Sequence, residues 1–316
     1  MSEQRELTEK IRRHATVDLG FDLIGFAPAE RMDLEGARYE AWIREGLHGS
    51  MGWMERNIDR RYDVREILPS ARSVIVVARN YYTPHAHSDD PEHAKISRYA
   101  WGRDYHNILP NKLKALHRYI LTLAPEAESR WYVDTGPVLE KSWGVRAGLG
   151  WMGKHSNVIT RQMGSWVFLG VLISSLDLEP TPPIPDFCGT CTRCIDACPT
   201  DAIFAPYQVD GTRCISYITI EEKPKEELSG EMGGKMENWA FGCDICQDVC
   251  PWNRFQQPTT EPSFEPRPGM LGFTIEQLRT MPDEEFQERF QGSPVRRATA
   301  EGMRRNARGL ERGREG

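Results

Sequence analysis

Eight cysteines, all between residues 188 and 250, are the side chains in this sequence best suited to chemistry. Cys188, Cys191, Cys194 and Cys198 follow the spacing C-x2-C-x2-C-x3-C and are closed by Pro199. Three thiolates two residues apart can wrap a loop round one corner of an iron–sulfur cubane, while the fourth, set off by three residues, points at a neighbouring cluster. A zinc site is satisfied by two C-x2-C pairs and has no use for so tight a run ending in proline. Cys243, Cys246 and Cys250 repeat the last three positions of the pattern before Pro251, with the first position missing. Cys214, in VDGTRCISY, is the cysteine left to fill it. Paired ferredoxin motifs exchange the cysteine that follows the three-residue gap. The expected quartets are therefore Cys188, Cys191 and Cys194 with Cys250, and Cys214, Cys243 and Cys246 with Cys198. Two 4Fe-4S clusters so held make a one-electron relay.

The rest of the composition suits that reading. The chain has 316 residues, 39% hydrophobic and 27% charged, which is the balance of a soluble globular protein with room for two domains. Its first twenty residues mix both charge signs, and its longest apolar run, WVFLGVLI, falls well short of the roughly 20 residues a membrane span needs. A cytoplasmic monomer without membrane contact is expected, and in a reducing compartment the cysteines are ligands rather than disulfides. The formal charge of −6 gives no overall attraction to nucleic acid. Residues 293–316, however, carry seven arginines (Arg296, Arg297, Arg304, Arg305, Arg308, Arg312 and Arg314) against three glutamates. Such a tail is either a solvated, fraying terminus or a phosphate contact.

Stepping from the ligands to what must position them, residues 4–18 read as a helix and FDLIGFAPA and SVIVVARNYY as strands. Further helices are expected over 111–123 and 139–147, with strands through WYVDT and SWVFLGVLI. Helices alternating with strands imply a layered α/β or α+β domain over residues 1–178. The prolines of EPTPPIPDF mark a boundary, so 179–258 is expected as a ferredoxin-like two-cluster domain. Residues 259–316 complete the α+β whole with one amphipathic helix, TIEQLRTMPDEEFQERF, and the short basic tail. About 180 residues ahead of a relay are more than a carrier needs, so the first domain is expected to house a redox reaction.

Several stretches are familiar: ISRYAWGRDYHN, WYVDTGPVLEKSWGVRAGLGWMGKHSN, CISY and GCDICQDVCPWN. With the cysteine pattern they resemble the epoxyqueuosine reductases, over roughly residues 5–310. That family is cobalamin-dependent and shares its cofactor core with the reductive dehalogenases. The resemblance implies a two-electron reduction of the epoxide of epoxyqueuosine, at the wobble position in the anticodon stem-loop of tRNA, giving queuosine and water. An external low-potential electron donor is implied as well. An epoxide oxygen leaves poorly as an alkoxide, and a carboxylic acid beside it supplies a proton as charge develops. Asp134 is the residue the resemblance assigns to that role; its alternative use is to cap the turn into LEKSWGV.

The cobalt would be held base-off, without a protein histidine. The histidine motif D-x-H-x-x-G of other cobalamin proteins is approached by Asp104, Tyr105 and His106 but lacks its glycine. By motif match, Asn57, Ser97, Arg98, Tyr105, Lys154, His155, Asn157, Val158, Ser216, Asp244 and Gln247 are candidates for contact with the cofactor or substrate. Leu169 and Leu172 join them, although three residues apart in a strand they cannot share a face. Tyr99, Trp101 and Tyr105 offer stacking for a splayed base. Lys223, Lys225 and the glycines of the inserted segment 219–241 lie where nucleic acid could approach the relay. The alternatives are a dehalogenase-like cobalamin reductase of a small molecule and a two-cluster electron carrier.

Overall fold

The computed structural model describes residues 2–223 and 227–315. Strands β1 (Leu23–Pro28), β2 (Ser73–Asn80), β3 (Ser129–Tyr132) and β4 (Val167–Ser174) form one sheet in the order β1-β2-β4-β3. Every pairing in it is antiparallel, which makes this region α+β rather than parallel α/β. Side chains alternate between the two faces with a period of two. Phe26, Ile75, Val77 and Leu172 face α1 (Glu3–Arg13) and α2 (Leu109–Leu123), whose Leu109, Leu113, Leu116 and Ile120 recur at helical spacing. Ala27, Val74, Val76, Val171 and Ile173 face the other way, onto Trp143 in α3 (Glu140–Arg146). With both faces covered, β2 is buried along its whole length.

A second core lies where the sequence reads as linker and tail. Helix α8 (Thr299–Glu315) is regular, not frayed, and buries Met303, Ala307 and Leu310 among Trp239, Phe241, Phe273, Leu278, Phe286 and Phe290. Ala94, Ile96 and Trp101 belong to the same core, and Lys95–Ile96 pairs in parallel with Trp239–Phe241. The packing therefore crosses the boundaries drawn from sequence at residues 178 and 258. The amphipathic stretch 274–290 is two helices, α6 (Ile275–Thr280) and α7 (Asp283–Arg289). Pro282 disfavours helical backbone at Met281, which is extended with ψ 121°, and the chain turns there.

The arginines of the tail are spent inside the protein. Arg297 pairs with Glu221, Arg304 with Asp283 and Glu301, Arg305 with Glu222, Arg308 with Glu227 and Glu301, Arg312 with Glu227 and Arg314 with Glu92. Arg296 donates to Gln287. The tail is thus not a fraying terminus: Arg297, Arg305, Arg308 and Arg312 tie it to Glu221, Glu222 and Glu227. Helix α5 (Gly230–Lys235) in the inserted segment packs on α8, and a Cβ at Gly233 would stand 1.8 Å from the Gly309 carbonyl oxygen. Its glycine serves close helix packing, not nucleic acid. Lys223 is exposed, and Lys225 lies outside the described residues. Among the described residues no helix is long and apolar enough to cross a membrane.

Candidate active site

The two cysteine motifs build matching halves. Cys194 sits in the short helix Arg193–Asp196 and Cys246 in Ile245–Asp248, and these two helices pack together. Cys198 and Cys250 follow them directly, each before its proline, while Cys214 stands at the start of the helix Ile215–Ile220. All eight are free thiols. Cys194 is pushed up to about 11 by burial, then by the neighbouring Cys250, Cys188 and Cys191. Cys246 is raised by burial and then by Cys214, with Cys194 and Cys198 also near. Cys243 has Cys246 and Cys214 as neighbours, and Cys214 has Cys198. Cysteines of both motifs and Cys214 therefore lie in one neighbourhood, with Cys194 and Cys246 close to each other.

Cys198, Cys214, Cys243 and Cys246 line a cavity of about 530 Å³ between the sheet and the cluster loops. Tyr81, Tyr105, Val158, Phe168 and Leu169 give it apolar walls, and Ser97, Asn157, Ser216 and Gln247 add polar groups. Tyr105 stacks on Phe168 with ring centroids 4.1 Å apart, which fixes its hydroxyl.

Asp134 faces this cavity from a turn. Strand β3 ends at Tyr132, so Asp134 lies in the bend before α3 rather than in the strand. Its φ of 61° is a left-handed conformation that aspartate tolerates better than most residues. The turn closes tightly because Gly136 lies against the Tyr132 ring, where a Cβ would come within 2.1 Å. Asp134 does not cap α3; Leu139 stands at that position, and the Asp134 N–H instead donates to Glu140 Oε1 at 2.5 Å. The Tyr105 hydroxyl donates to Asp134 Oδ2 at 2.6 Å, and the aspartate side chain is 62% exposed, toward the cavity. Tyr105 is raised well above the usual phenol range by burial and by the Asp134 charge, so it acts as a donor.

His155 and Asn157 come from the loop between the strands Trp151–Met152 and Val158–Ile159. Burial, then the charge of Lys141, pushes His155 down to about 4, which leaves the ring neutral. Its Nδ1 accepts from the Asn157 N–H at 3.2 Å, so the ring proton sits on Nε2, which is buried and has no partner within the chain.

Other candidates serve the frame instead. Lys154 donates to the carbonyls of Gly189 (2.7 Å) and Cys191 (2.9 Å), bracing the first cluster loop outside the cavity. Asp244, fully buried and raised to about 7 by that burial, accepts from Ser97 Oγ at 2.5 Å and Arg98 N–H at 2.8 Å. It ties the second cluster loop to the 97–98 segment. The Arg98 guanidinium reaches the carbonyls of Thr83 and His85 and stacks on Trp101, away from the cavity. Leu172 is in the core on the opposite face from Leu169, and Trp101 is fully buried with its indole N–H on the Ile96 carbonyl. Asn57 is exposed in a left-handed turn and does not line the cavity. Glu140 and Lys141 do line it and were not singled out from sequence, because an adjacent Glu-Lys pair reads as an ordinary helix start.

A two-cluster cysteine pattern opening onto a cavity with a carboxylate on its wall is that of an iron–sulfur oxidoreductase. Residues 61–135 match the family described as epoxyqueuosine reductase QueG, DUF1730, and residues 187–253 match the 4Fe-4S double cluster binding domain. An epoxyqueuosine reductase of Synechocystis sp. is 48% identical over 287 residues, covering 90% of this chain and 98% of its own. That of Cellulophaga algicola is 44% identical over 306 residues, covering 97% and 98%. A crystal structure of epoxyqueuosine reductase with a tRNA-Tyr epoxyqueuosine-modified stem loop superposes with a TM-score of 0.88 at 31% identity, covering 96% of this chain and 80% of that one. The chain belongs to the epoxyqueuosine reductase family.

Proposed function

We propose that this chain reduces epoxyqueuosine to queuosine at the wobble position of tRNA, with cobalamin in the cavity, electrons supplied through two 4Fe-4S clusters and Asp134 as proton donor. The observation that carries the reading is the shared cavity: Asp134 and Tyr105 are on its wall together with Cys198, Cys214, Cys243 and Cys246. In this reading Cys188, Cys191, Cys194 and Cys250 hold the outer cluster and the cavity-lining quartet holds the inner one.

The residues present fit a corrin. Broad apolar surfaces at Val158, Phe168 and Leu169 suit the ring, and the unpartnered His155 Nε2–H is a buried donor awaiting an acceptor. Because that nitrogen carries the proton in the tautomer Asn157 selects, it favours hydrogen bonding over ligation of cobalt, in keeping with a base-off cofactor. When bound, cobalamin supplies a strongly reducing cobalt centre at the epoxide. The chain's part is to exclude water, orient the cyclopentane ring and deliver a proton to the departing oxygen from the Asp134 carboxyl. Tyr105 holds that carboxyl in place through its hydroxyl.

The substrate reading draws on the related structure with a modified tRNA stem loop. A wobble base sits in an unpaired loop, where leaving the stack costs only a few kcal/mol. An external low-potential donor, a monomeric state and a cytoplasmic setting complete the proposal. Anaerobic incubation with epoxyqueuosine-containing tRNA, cobalamin and a low-potential reductant should convert the nucleoside to a species lighter by one oxygen. An unchanged nucleoside mass would refute it.

A further inference from the structure

Resting on the reading above, the balance of the reaction leaves one proton unassigned. Removing an epoxide oxygen as water breaks two carbon–oxygen bonds, forms one carbon–carbon double bond, and consumes two electrons and two protons. The electrons come from the external donor through the clusters. A single carboxyl such as Asp134 can deliver one proton, which suffices for the first cleavage, where the oxygen leaves one carbon and becomes a hydroxyl. The second cleavage, in which that hydroxyl departs as water, needs another.

We propose that Glu140 holds this second proton and returns it to Asp134 after the first carbon–oxygen bond has broken. Both residues line the same cavity, at the two ends of one short turn. Glu140 Oε1 accepts the Asp134 N–H at 2.5 Å, and among the described residues Oε2 has no hydrogen-bond partner and is the oxygen left to carry a proton. The cations around it are engaged elsewhere. Lys141 Nζ donates to the Ser156 carbonyl (3.0 Å) and Asn157 Oδ1 (2.8 Å), and the Arg61 guanidinium turns to the carbonyls of Arg56 and Trp53. No salt bridge of Glu140 forms among the described residues, while Asp134 and Tyr105 face it as acidic groups. Burial first, and then the charge of Asp134 as a carboxylate, pushes Glu140 up to about 8, so Glu140 still holds a proton at pH 7 in the state where Asp134 has given up its own.

The order of events follows. Asp134 gives its proton to the opening epoxide and becomes a carboxylate; Glu140 transfers its proton to that carboxylate; Asp134 then protonates the leaving hydroxyl. Glu140 acts through Asp134 and need not touch the substrate. Two carboxyls at the ends of one turn, with a combined load of two protons, match the two the product water requires.

Glu140→Gln keeps an oxygen for the Asp134 N–H but has no acid proton. In steady-state assays it should lower kcat about 100-fold with KM within twofold of the parent, in the range removal of an acid–base group produces. The parent rate should fall as pH rises through about 8, and the variant should lose that limb. Glu140→Asp should restore part of the rate and the limb. Infrared titration of the cobalamin-free protein gives an independent readout: a protonated carboxyl band present at pH 7, lost near pH 8 and missing in Glu140→Gln. Parental turnover and pH profile in Glu140→Gln, or no such band in the parent, overturns the proposal. If Glu140→Gln does not fold, the parent band still decides. If the parent protein leaves epoxyqueuosine unreduced, the functional reading itself fails and this proposal with it, whatever the band shows.

Discussion

The Tyr105 hydroxyl donates to Asp134 Oδ2 at 2.6 Å while the Asp134 N–H donates to Glu140 Oε1 at 2.5 Å, so the aspartate is held at both side chain and backbone. A turn residue, exposed to the cavity, is thereby given the fixed position that a proton donor needs.

Tyr105→Phe keeps the stacking on Phe168 and removes only the donor. A hydrogen bond to a charged group contributes about 1.5–3 kcal/mol, so single-turnover reduction should slow roughly 10- to 100-fold with iron content unchanged. Asp134→Asn should abolish reduction and leave both clusters in place. Parental rates in either variant would remove the pair from the mechanism.

The two quartets predict which cluster each cysteine holds. Cys194→Ala and Cys214→Ala should each lower iron from about eight to about four per chain, the content of one cubane rather than two. The cluster expected to remain in Cys214→Ala is the one held by Cys188, Cys191, Cys194 and Cys250, which do not line the cavity. Retention of the full iron content in Cys214→Ala would show that the inner cluster takes its fourth ligand elsewhere.

His155 makes stability depend on pH in a defined direction. Folding lowers its pKa from 6.5 to about 4, so between these values the unfolded chain binds a proton that the folded chain does not. Stability should therefore decline as pH falls from about 6.5 toward 4, by up to about 3 kcal/mol from this group. Urea unfolding of the cobalamin-free protein at several pH values should show a shallower decline in His155→Gln than in the parent.

The C-terminal helix predicts a structural role for what reads as a basic tail. Asn306 is fully buried and donates to the carbonyls of Thr219 and Ala240, each at 2.9 Å. Asn306→Leu leaves both unpaired and should cost about 2–4 kcal/mol in chemical denaturation. By contrast Arg308→Gln, whose parent side chain is paired with Glu227 and Glu301, should change tRNA affinity and its salt dependence by less than about twofold.

Spacing along the chain determined a good deal of this protein. The cysteine intervals mark the segment as a two-cluster domain, because cubane ligation from a tight loop demands that local spacing, and residues 187–253 match that domain. The continuous apolar, β-branched runs of β1, β2 and β4 declare strands covered on both faces, and the periodic apolar residues of α2 declare a helix buried on one. What the tertiary structure alone decided concerns partners distant in sequence. Sheet order and antiparallel sense come from pairings such as Val77 with Gly170. Arg305, Arg308 and Arg312 of α8 look free until Glu222 and Glu227 are brought against them, and nothing along the chain shows that Gly233 meets Gly309. Glu140 is an ordinary first-turn glutamate in sequence; only the left-handed turn at Asp134, folding back on α3, places its carboxyl at the cavity, where low polarity and a neighbouring charge favour the protonated form.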